Sequence, residues 1–443
     1  MTRSPNLGNV STKLQRIAQL AKEEPKRVFV SLAHHIDVDF LREAYRRTRK
    51  DGAPGVDGQT GTAYEENLEE NLRSLLDRFK SGSYKAPPVR RVYIPKGSNP
   101  GAKRPIGMPT FEDKVLQRAV AMELEAVYEQ DFLDCSYGFR PGRSAHQAIG
   151  TLWKGLTEME GGWVLEADIE GFYDNLDHGQ LRGFLDQRVR DGVLRRSIDK
   201  WLKAGVMEEG TFSHPSTGTP QGGVISPLLS NIYLHKVLDE WFEAEVKPRL
   251  VGQALLIRFA DDFVVVFQRE SDARRVLEVL PKRFGKYGLR LHSDKTRLVR
   301  FERPRRSEPG ESQPPEEPRS FDFLGFTHYW DKSRRGKWVV KRKTAPDRIN
   351  RFLRQLNAWC RGNRHKPLAE QHVELLSKLR GHYGYYGIIG NSKALSSLHH
   401  WTKRIWLKWL GRRSRRPNRL SWERFNLLLE RYPLPNPRIC QEA

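Results

Sequence analysis

The stretch Ala254-Leu-Leu-Ile-Arg-Phe-Ala-Asp-Asp-Phe-Val-Val-Val-Phe267 decides how this chain is read. Residues 254–259 and 263–267 are two β-rich runs that meet at Asp261-Asp262, which predicts a hairpin with an acidic pair at its tip. Adjacent carboxylates between apolar strands raise each other's pKa unless they share a cation. The bland alternative is a solvated turn, since Asp tolerates turn conformations well.

The surroundings favour the cation. Upstream, Trp163, Leu165, Ala167 and Ile169 alternate with Val164, Glu166 and Asp168, the period of a strand with one buried face and Asp168 at its end. If this strand neighbours the hairpin, three carboxylates converge and can hold two divalent ions. That arrangement stabilises the attacking and leaving oxygens of an in-line phosphoryl displacement. Val89 to Pro95, a turn over 97–103 and the run 105–109 predict a basic hairpin carrying Arg90, Arg91, Lys96, Lys103 and Arg104. Gly218-Thr-Pro-Gln-Gly-Gly223 must be a loop, and Ser226-Pro227 starts a helix with the serine hydroxyl free to cap. Helices are expected from His34 to Arg47, Tyr64 to Lys80 and Ser271 to Gly285, and around Val115 to Val127. Residues 304–320 read as a proline-rich surface loop, after which Phe321 to Phe326 resumes the sheet. Beyond Thr344 the pattern is helical: Ile349, Phe352, Leu353, Leu356 and Trp359 form one stripe, and Val373, Leu376 and Leu379 a second. A third helix runs from Leu395 to Leu410 and stops at Gly411.

The chain has 443 residues, 38% of them hydrophobic, enough for two or three domains with a buried core. Its formal charge is +23, and residues 331–443 hold 27 Lys and Arg against 7 Asp and Glu, a net of +20. Such a concentrated excess fits a polyanionic partner better than a small substrate, and it predicts salt-sensitive binding to nucleic acid. Cys135, Cys360 and Cys440 are odd in number and far apart, so neither a disulfide framework nor a structural zinc site is expected, and a reducing compartment is. No run approaches the ~20 apolar residues of a membrane helix, and the first residues lack a signal-peptide core; a flexible N-terminal arm is expected.

Six motifs then stand in a recognisable order: Arg104-Pro-Ile-Gly-Met-Pro109, Tyr137-Gly-Phe-Arg-Pro-Gly-Arg-Ser144, Asp168-Ile-Glu-Gly-Phe-Tyr-Asp174, the segment from Thr219 through Gln221 to Asn231, Phe259-Ala-Asp-Asp262 and Phe323-Leu-Gly-Phe326. They resemble the blocks of group II intron reverse transcriptases. Leu379-Arg-Gly-His-Tyr-Gly-Tyr-Tyr-Gly-Ile-Ile-Gly-Asn391 and Trp406-Leu-Lys-Trp-Leu410 resemble the family's thumb and maturase region. The resemblance implies an α+β fold: a right-hand polymerase, with fingers and an antiparallel palm sheet, plus an α-helical thumb/maturase domain. The boundaries expected are an N-terminal arm over 1–34 that packs on the fingers, fingers and palm over 35–330, and a helical, RNA-binding thumb/maturase domain over 331–443.

By the same resemblance Asp168, Asp261 and Asp262 are the catalytic metal ligands, for two Mg²⁺ ions, with Mn²⁺ as an alternative. Lys96 and Arg104 grip the incoming triphosphate, Phe172 crowds the sugar 2′ position, Gln221 lies near the template and incoming base pair, and Lys295 protonates the leaving pyrophosphate. Arg412, Arg413, Arg415, Arg416 and Arg419, in a polar segment after the last helix, are expected to contact RNA phosphates. The implied partners are an RNA template, group II intron RNA above all, a DNA primer or target, and dNTPs, with no membrane. The expected setting is a bacterial cytoplasm rather than an organelle. Phe259 replaces the tyrosine common before Ala-Asp-Asp, and no paired cysteines follow Pro435, so the Cys-rich endonuclease module of many relatives is not expected. Three rivals stay open: an RNA-binding splicing factor with a vestigial polymerase, an RNA-dependent RNA polymerase, and a reverse transcriptase domesticated for host defence or repair.

Overall fold

Alternation and turn chemistry lay out the strands. The computed structural model describes residues 7–95, 101, 103–208, 211–213, 217–219, 222–304, 319–413 and 420–440. Its strands are β1 (Val89–Pro95), β2 (Lys103–Met108), β3 (Trp163–Ala167), β4 (Val206–Glu208), β5 (Thr211–Ser213), β6 (Ala254–Phe259), β7 (Asp262–Phe267), β8 (Arg297–Arg300), β9 (Phe321–Phe323), β10 (Phe326–Lys332) and β11 (Trp338–Thr344). They form three sheets, in the orders β2-β1-β4-β5, β6-β7-β3-β8 and β11-β10-β9. Phe321–Phe326 therefore does not resume the aspartate sheet. It turns at Leu324 and Gly325, both with positive φ, inside a separate antiparallel sheet.

The chain divides into two compact units, residues 1–144, 165–265 and 269–297 in one, and 145–164, 266–268 and 298–443 in the other. In the first unit, β1 and β2 form the expected basic hairpin, with Ile94 opposite Arg104 and Pro95 opposite Lys103. β4 joins β1 in parallel, pairing Val89 with Val206. The helix Phe111–Tyr128 starts at Thr110, whose hydroxyl accepts from the Asp113 N–H at 3.3 Å, and it buries Val115, Leu116, Val120 and Leu124. The helix expected from His34 begins later, at Val38, where the Asp37 carboxylate accepts from the Phe40 N–H at 2.8 Å.

Residues 7–23 correct one expectation, for they form a helix, Leu7–Glu23, and not a flexible arm. It buries Val10, Ile17 and Ala21 and packs on Phe111–Tyr128. The buried Arg188 closes the end of this segment, donating to the carbonyls of Ala21 (3.1 Å), Glu24 (3.2 Å) and Arg27 (2.7 Å) while pairing with Asp131 at 2.8 Å.

In the second unit, the helices Pro346–Asn363, Leu368–Tyr386, Ser392–Leu410 and Trp422–Arg431 enclose Leu356, Leu375, Leu379, Leu398, Trp406 and Phe425. Val373, expected on a buried stripe, is 63% exposed; Gln371 turns inward instead and accepts from the Trp406 indole N–H at 3.0 Å. No helix among the described residues is long and apolar enough to cross a membrane.

Candidate active site

Strands β6 and β7 are joined by Ala260 and Asp261 alone, so the acidic pair does cap a hairpin. Ala260 has φ +58°, a left-handed conformation that costs a residue with a Cβ on the order of 1–3 kcal/mol unless its surroundings hold it. Gly138 makes the turn possible, because a Cβ there would stand 2.3 Å from the Ala260 nitrogen. The Tyr137-Gly-Phe-Arg motif thus seats the hairpin by backbone contact.

Strand β3 neighbours β7, which brings Asp168, one residue past its end, to the same place. The expectation of one buried face on β3 is too simple: Val164 to Ala167 are all buried, and Glu166 is ion-paired with Arg297. Beyond β3 the chain pairs back on residues 290–292, with Glu170 N–H donating to the Arg290 carbonyl and His292 N–H to the Asp168 carbonyl, both at 2.8 Å. A turn at His292 then returns Lys295, whose ammonium pairs with an Asp168 carboxylate oxygen; the Asp168 side chain is 18% exposed.

Burial, and then repulsion from Asp168, raises the Asp261 carboxyl above its ordinary value, while Arg104 and Lys295 pull it down. Asp262 is reached by solvent yet goes further, to about 7: crowding by the protein comes first, then the charges of Asp261 and Asp168 and a hydrogen bond with Asp168. The three carboxylates repel one another, and one cation, Lys295, lies among them. Among the described residues no three His, Cys, Asp or Glu side chains stand close enough to enclose a metal ion by themselves. That is compatible with Mg²⁺, which binds through one or two carboxylates plus substrate phosphates rather than in an all-protein cage. The repulsion is what a divalent cation would relieve, so the residues fit the ion.

Arg104 is exposed on β2 and within electrostatic reach of Asp261. Phe172 corrects the sequence reading: it is 2% exposed, behind Tyr173 and against Tyr233, with ring centroids 5.4 and 6.4 Å apart. A ring so buried does not touch a nucleotide. Its neighbour Tyr173 is only half-buried, and the Tyr173 hydroxyl is pushed up to about 12 by burial and then by Asp261, while a hydrogen bond with Ser230 and then Arg104 lower it. Lys96 and Gln221 lie outside the described residues. Gly222 does not: its φ is +111°, and a Cβ there would be 2.5 Å from the Gly107 carbonyl oxygen on β2. Gly222 therefore lies backbone to backbone against the basic hairpin. Ser226 does not cap its helix; its hydroxyl is 2.9 Å from that of Thr219, which ties the loop to the helix start.

Of the C-terminal arginines, Arg412 lies 5.0 Å from the Trp409 ring centroid, while Arg413 donates to the carbonyls of Arg364 and Lys366 just past the Pro346–Asn363 helix. Arg413, itself exposed, thus has backbone carbonyls of the segment after that helix as its partners. Arg415, Arg416 and Arg419 lie outside the described residues.

Three contributors escape the sequence reading. Tyr173 is masked there by its neighbour. Gln117 accepts from the N–H groups of Val224 (2.9 Å) and Ile225 (3.4 Å), and it donates to the buried Asp113 at 3.1 Å, anchoring the end of the loop that holds Gln221. Arg258 interrupts the apolar run of β6 and is wholly buried. Its signal is visible in the sequence, since a lone charge inside a buried strand must have a partner.

Comparison with known proteins shows the family of the chain. Residues 94–328, more than half of the chain, match the family described as reverse transcriptase (RNA-dependent DNA polymerase). Residues 349–426 match the group II intron maturase-specific domain. Protein YkfC of Escherichia coli is 33% identical over 389 residues, covering 79% of this chain and 96% of that protein. The group II intron-encoded protein LtrA of Lactococcus lactis is 38% identical over 226 residues, 51% of this chain and 37% of LtrA. An uncharacterized 91 kDa protein in the cob intron of Schizosaccharomyces pombe is 32% identical over 244 residues, 53% of this chain and 29% of its own length. With the polymerase match followed in order by the maturase match, the chain belongs to the group II intron reverse transcriptase/maturase family of RNA-directed DNA polymerases.

Proposed function

We propose that this chain copies RNA into DNA by attack of a primer 3′ hydroxyl on the α-phosphate of a dNTP, releasing pyrophosphate, with Asp168, Asp261 and Asp262 holding two divalent cations. The observation that carries the reading is the mutual repulsion of these carboxylates at one hairpin tip, beside Arg104 and Lys295. When bound, Mg²⁺, or Mn²⁺ in its place, neutralises charge developing on the attacking and leaving oxygens. The protein's own share is positioning and fixed charge. Arg104, with Lys96 from the same hairpin, binds the triphosphate by charge-assisted hydrogen bonds. Lys295, poised on Asp168, is the proton donor to the departing pyrophosphate. Tyr173, backed by Phe172, is the wall against a ribose 2′ hydroxyl, and Gln221 meets the template pair.

In this reading residues 35–330 are the fingers and palm of a right-hand polymerase and 331–443 the thumb and maturase domain. The basic second segment binds group II intron RNA and assists its splicing, in a bacterial cytoplasm as the bacterial relatives suggest. Primer extension on an RNA template tests the chemistry: Asp168→Ala or Asp261→Ala should cost on the order of 4 kcal/mol or more in the barrier, about 10³-fold in rate. Near wild-type extension by either variant would remove the aspartates from the mechanism.

A further inference from the structure

Arg258 is the only charged residue of β6, and it is buried together with Asp239, both at 0% exposure. A guanidinium has five N–H groups, each of which needs an acceptor when water is excluded. Here all five have one. Nε and Nη2 fork onto the two oxygens of Asp239 at 2.8 and 2.6 Å. Nη2 also donates to the Ser136 hydroxyl at 2.7 Å, and Nη1 donates to Asn231 Oδ1 at 2.9 Å and to the Ala260 carbonyl at 3.1 Å.

These acceptors come from three segments that border the aspartate turn. Ser136 precedes the motif containing Gly138; Asn231 and Asp239 lie on the helix Ser226–Leu234 and its π-helical continuation His235–Asp239; Ala260 is the left-handed residue of the turn itself. The Asn231 amide donates onward to the Gly138 carbonyl at 2.7 Å, and the backbone of Arg258 bridges Cys135 (2.7 Å) and Tyr137 (2.9 Å). A brace for stability alone needs no buried charge, because an apolar pair of similar volume is often as stable or more so. An apolar pair cannot donate to the Ala260 carbonyl.

We propose that Arg258 is a positioning residue for nucleotidyl transfer: through the Ala260 carbonyl it fixes the left-handed turn that aims Asp261 and Asp262, and Asp239 and Asn231 hold its guanidinium in that orientation. This rests on the reading of Asp261 and Asp262 as cation ligands. Two variants and a control test it. The double substitution Arg258→Met with Asp239→Leu keeps the volume and removes the donor; Arg258→Lys keeps a charge for Asp239 but loses the planar fork. Asp261→Asn is the control.

The measurements are circular dichroism, template–primer affinity, kcat, and the Mg²⁺ concentration that half-saturates the rise in thermal midpoint without turnover. Both Arg258 variants should keep their fold and template–primer affinity, lose on the order of 10²-fold in kcat, and need several-fold more Mg²⁺ for the thermal rise. A folded variant of either kind with wild-type kcat and wild-type Mg²⁺ response overturns the proposal. If Asp261→Asn still makes cDNA, the aspartate reading itself has failed. If that control is inactive while the Arg258 variants behave as wild type, only the role of Arg258 falls.

Discussion

Asp262 shares a hydrogen bond with Asp168 and stands beside Asp261, and its folded pKa of about 7 lies above the ordinary carboxylate value. A raised folded pKa means that the metal-free protein has this group's full stabilising contribution below pH ~4 and loses it as pH rises through about 7. A divalent cation displaces the proton and removes the repulsion, so the Mg²⁺-induced rise in thermal midpoint should grow between pH 6 and 8. Thermal scans with and without Mg²⁺ across that range check this, and a pH-independent increment would count against carboxylate binding. The sugar wall is also a residue-scale matter. Tyr173→Ala should raise the rNTP/dNTP ratio of kcat/KM, whereas Phe172→Ala, deep in the core, should chiefly lower the thermal midpoint, with a loss of about 3–5 kcal/mol. An increased ratio in Phe172→Ala alone would return the gate to Phe172. Spacing does not separate adjacent aromatics, which differ in which one the short helix Phe172–Asn175 turns inward.

Two loops, at the scale of elements, are placed by missing side chains. Gly138 lies against Ala260 and Gly222 against Gly107, and each approach is backbone to backbone. Gly222→Ala adds a Cβ 2.5 Å from a carbonyl oxygen at φ +111°, so the loop must move, at a strain on the order of 1–3 kcal/mol. The expected result is a fall in kcat/KM for dNTP with an unchanged Mg²⁺ response, because the aspartate hairpin is untouched; steady-state kinetics at several Mg²⁺ concentrations would show it. Hairpins and long helices are legible because their signals are local. The docking of Leu7–Glu23 is not, since it depends on partners distant in sequence, such as Arg188.

Over the whole molecule, charge is the dominant asymmetry, with +20 of +23 after residue 330. Replacing Arg412, Arg415, Arg416 and Arg419 by Gln should weaken binding to intron RNA and lower the slope of log K against log salt by roughly 0.7 to 0.9 for each phosphate no longer neutralised. Polymerisation on a saturating short template–primer should stay mostly intact. Arg413→Gln should behave differently, slightly lowering the thermal midpoint, because the carbonyls of Arg364 and Lys366 lose one of two donors and keep Gln371. Affinities at several salt concentrations, with melting curves, separate the two; an unaltered slope would make these arginines a solubilising segment.

From the sequence, the order of short motifs gave a resemblance to reverse transcriptases, periodicity gave acidic residues on a hairpin, and charge gave a basic helical region later in the chain. Those features are local, or are sums over residues, and need no knowledge of neighbours. Only the tertiary structure decided that Phe172 is buried while Tyr173 is half-exposed, that Arg413 meets the carbonyls of Arg364 and Lys366, and that Arg258 finds five acceptors beneath the aspartate turn. Each is a question of which groups remote in sequence meet where water is excluded, and residue types along a chain do not encode that without the packing.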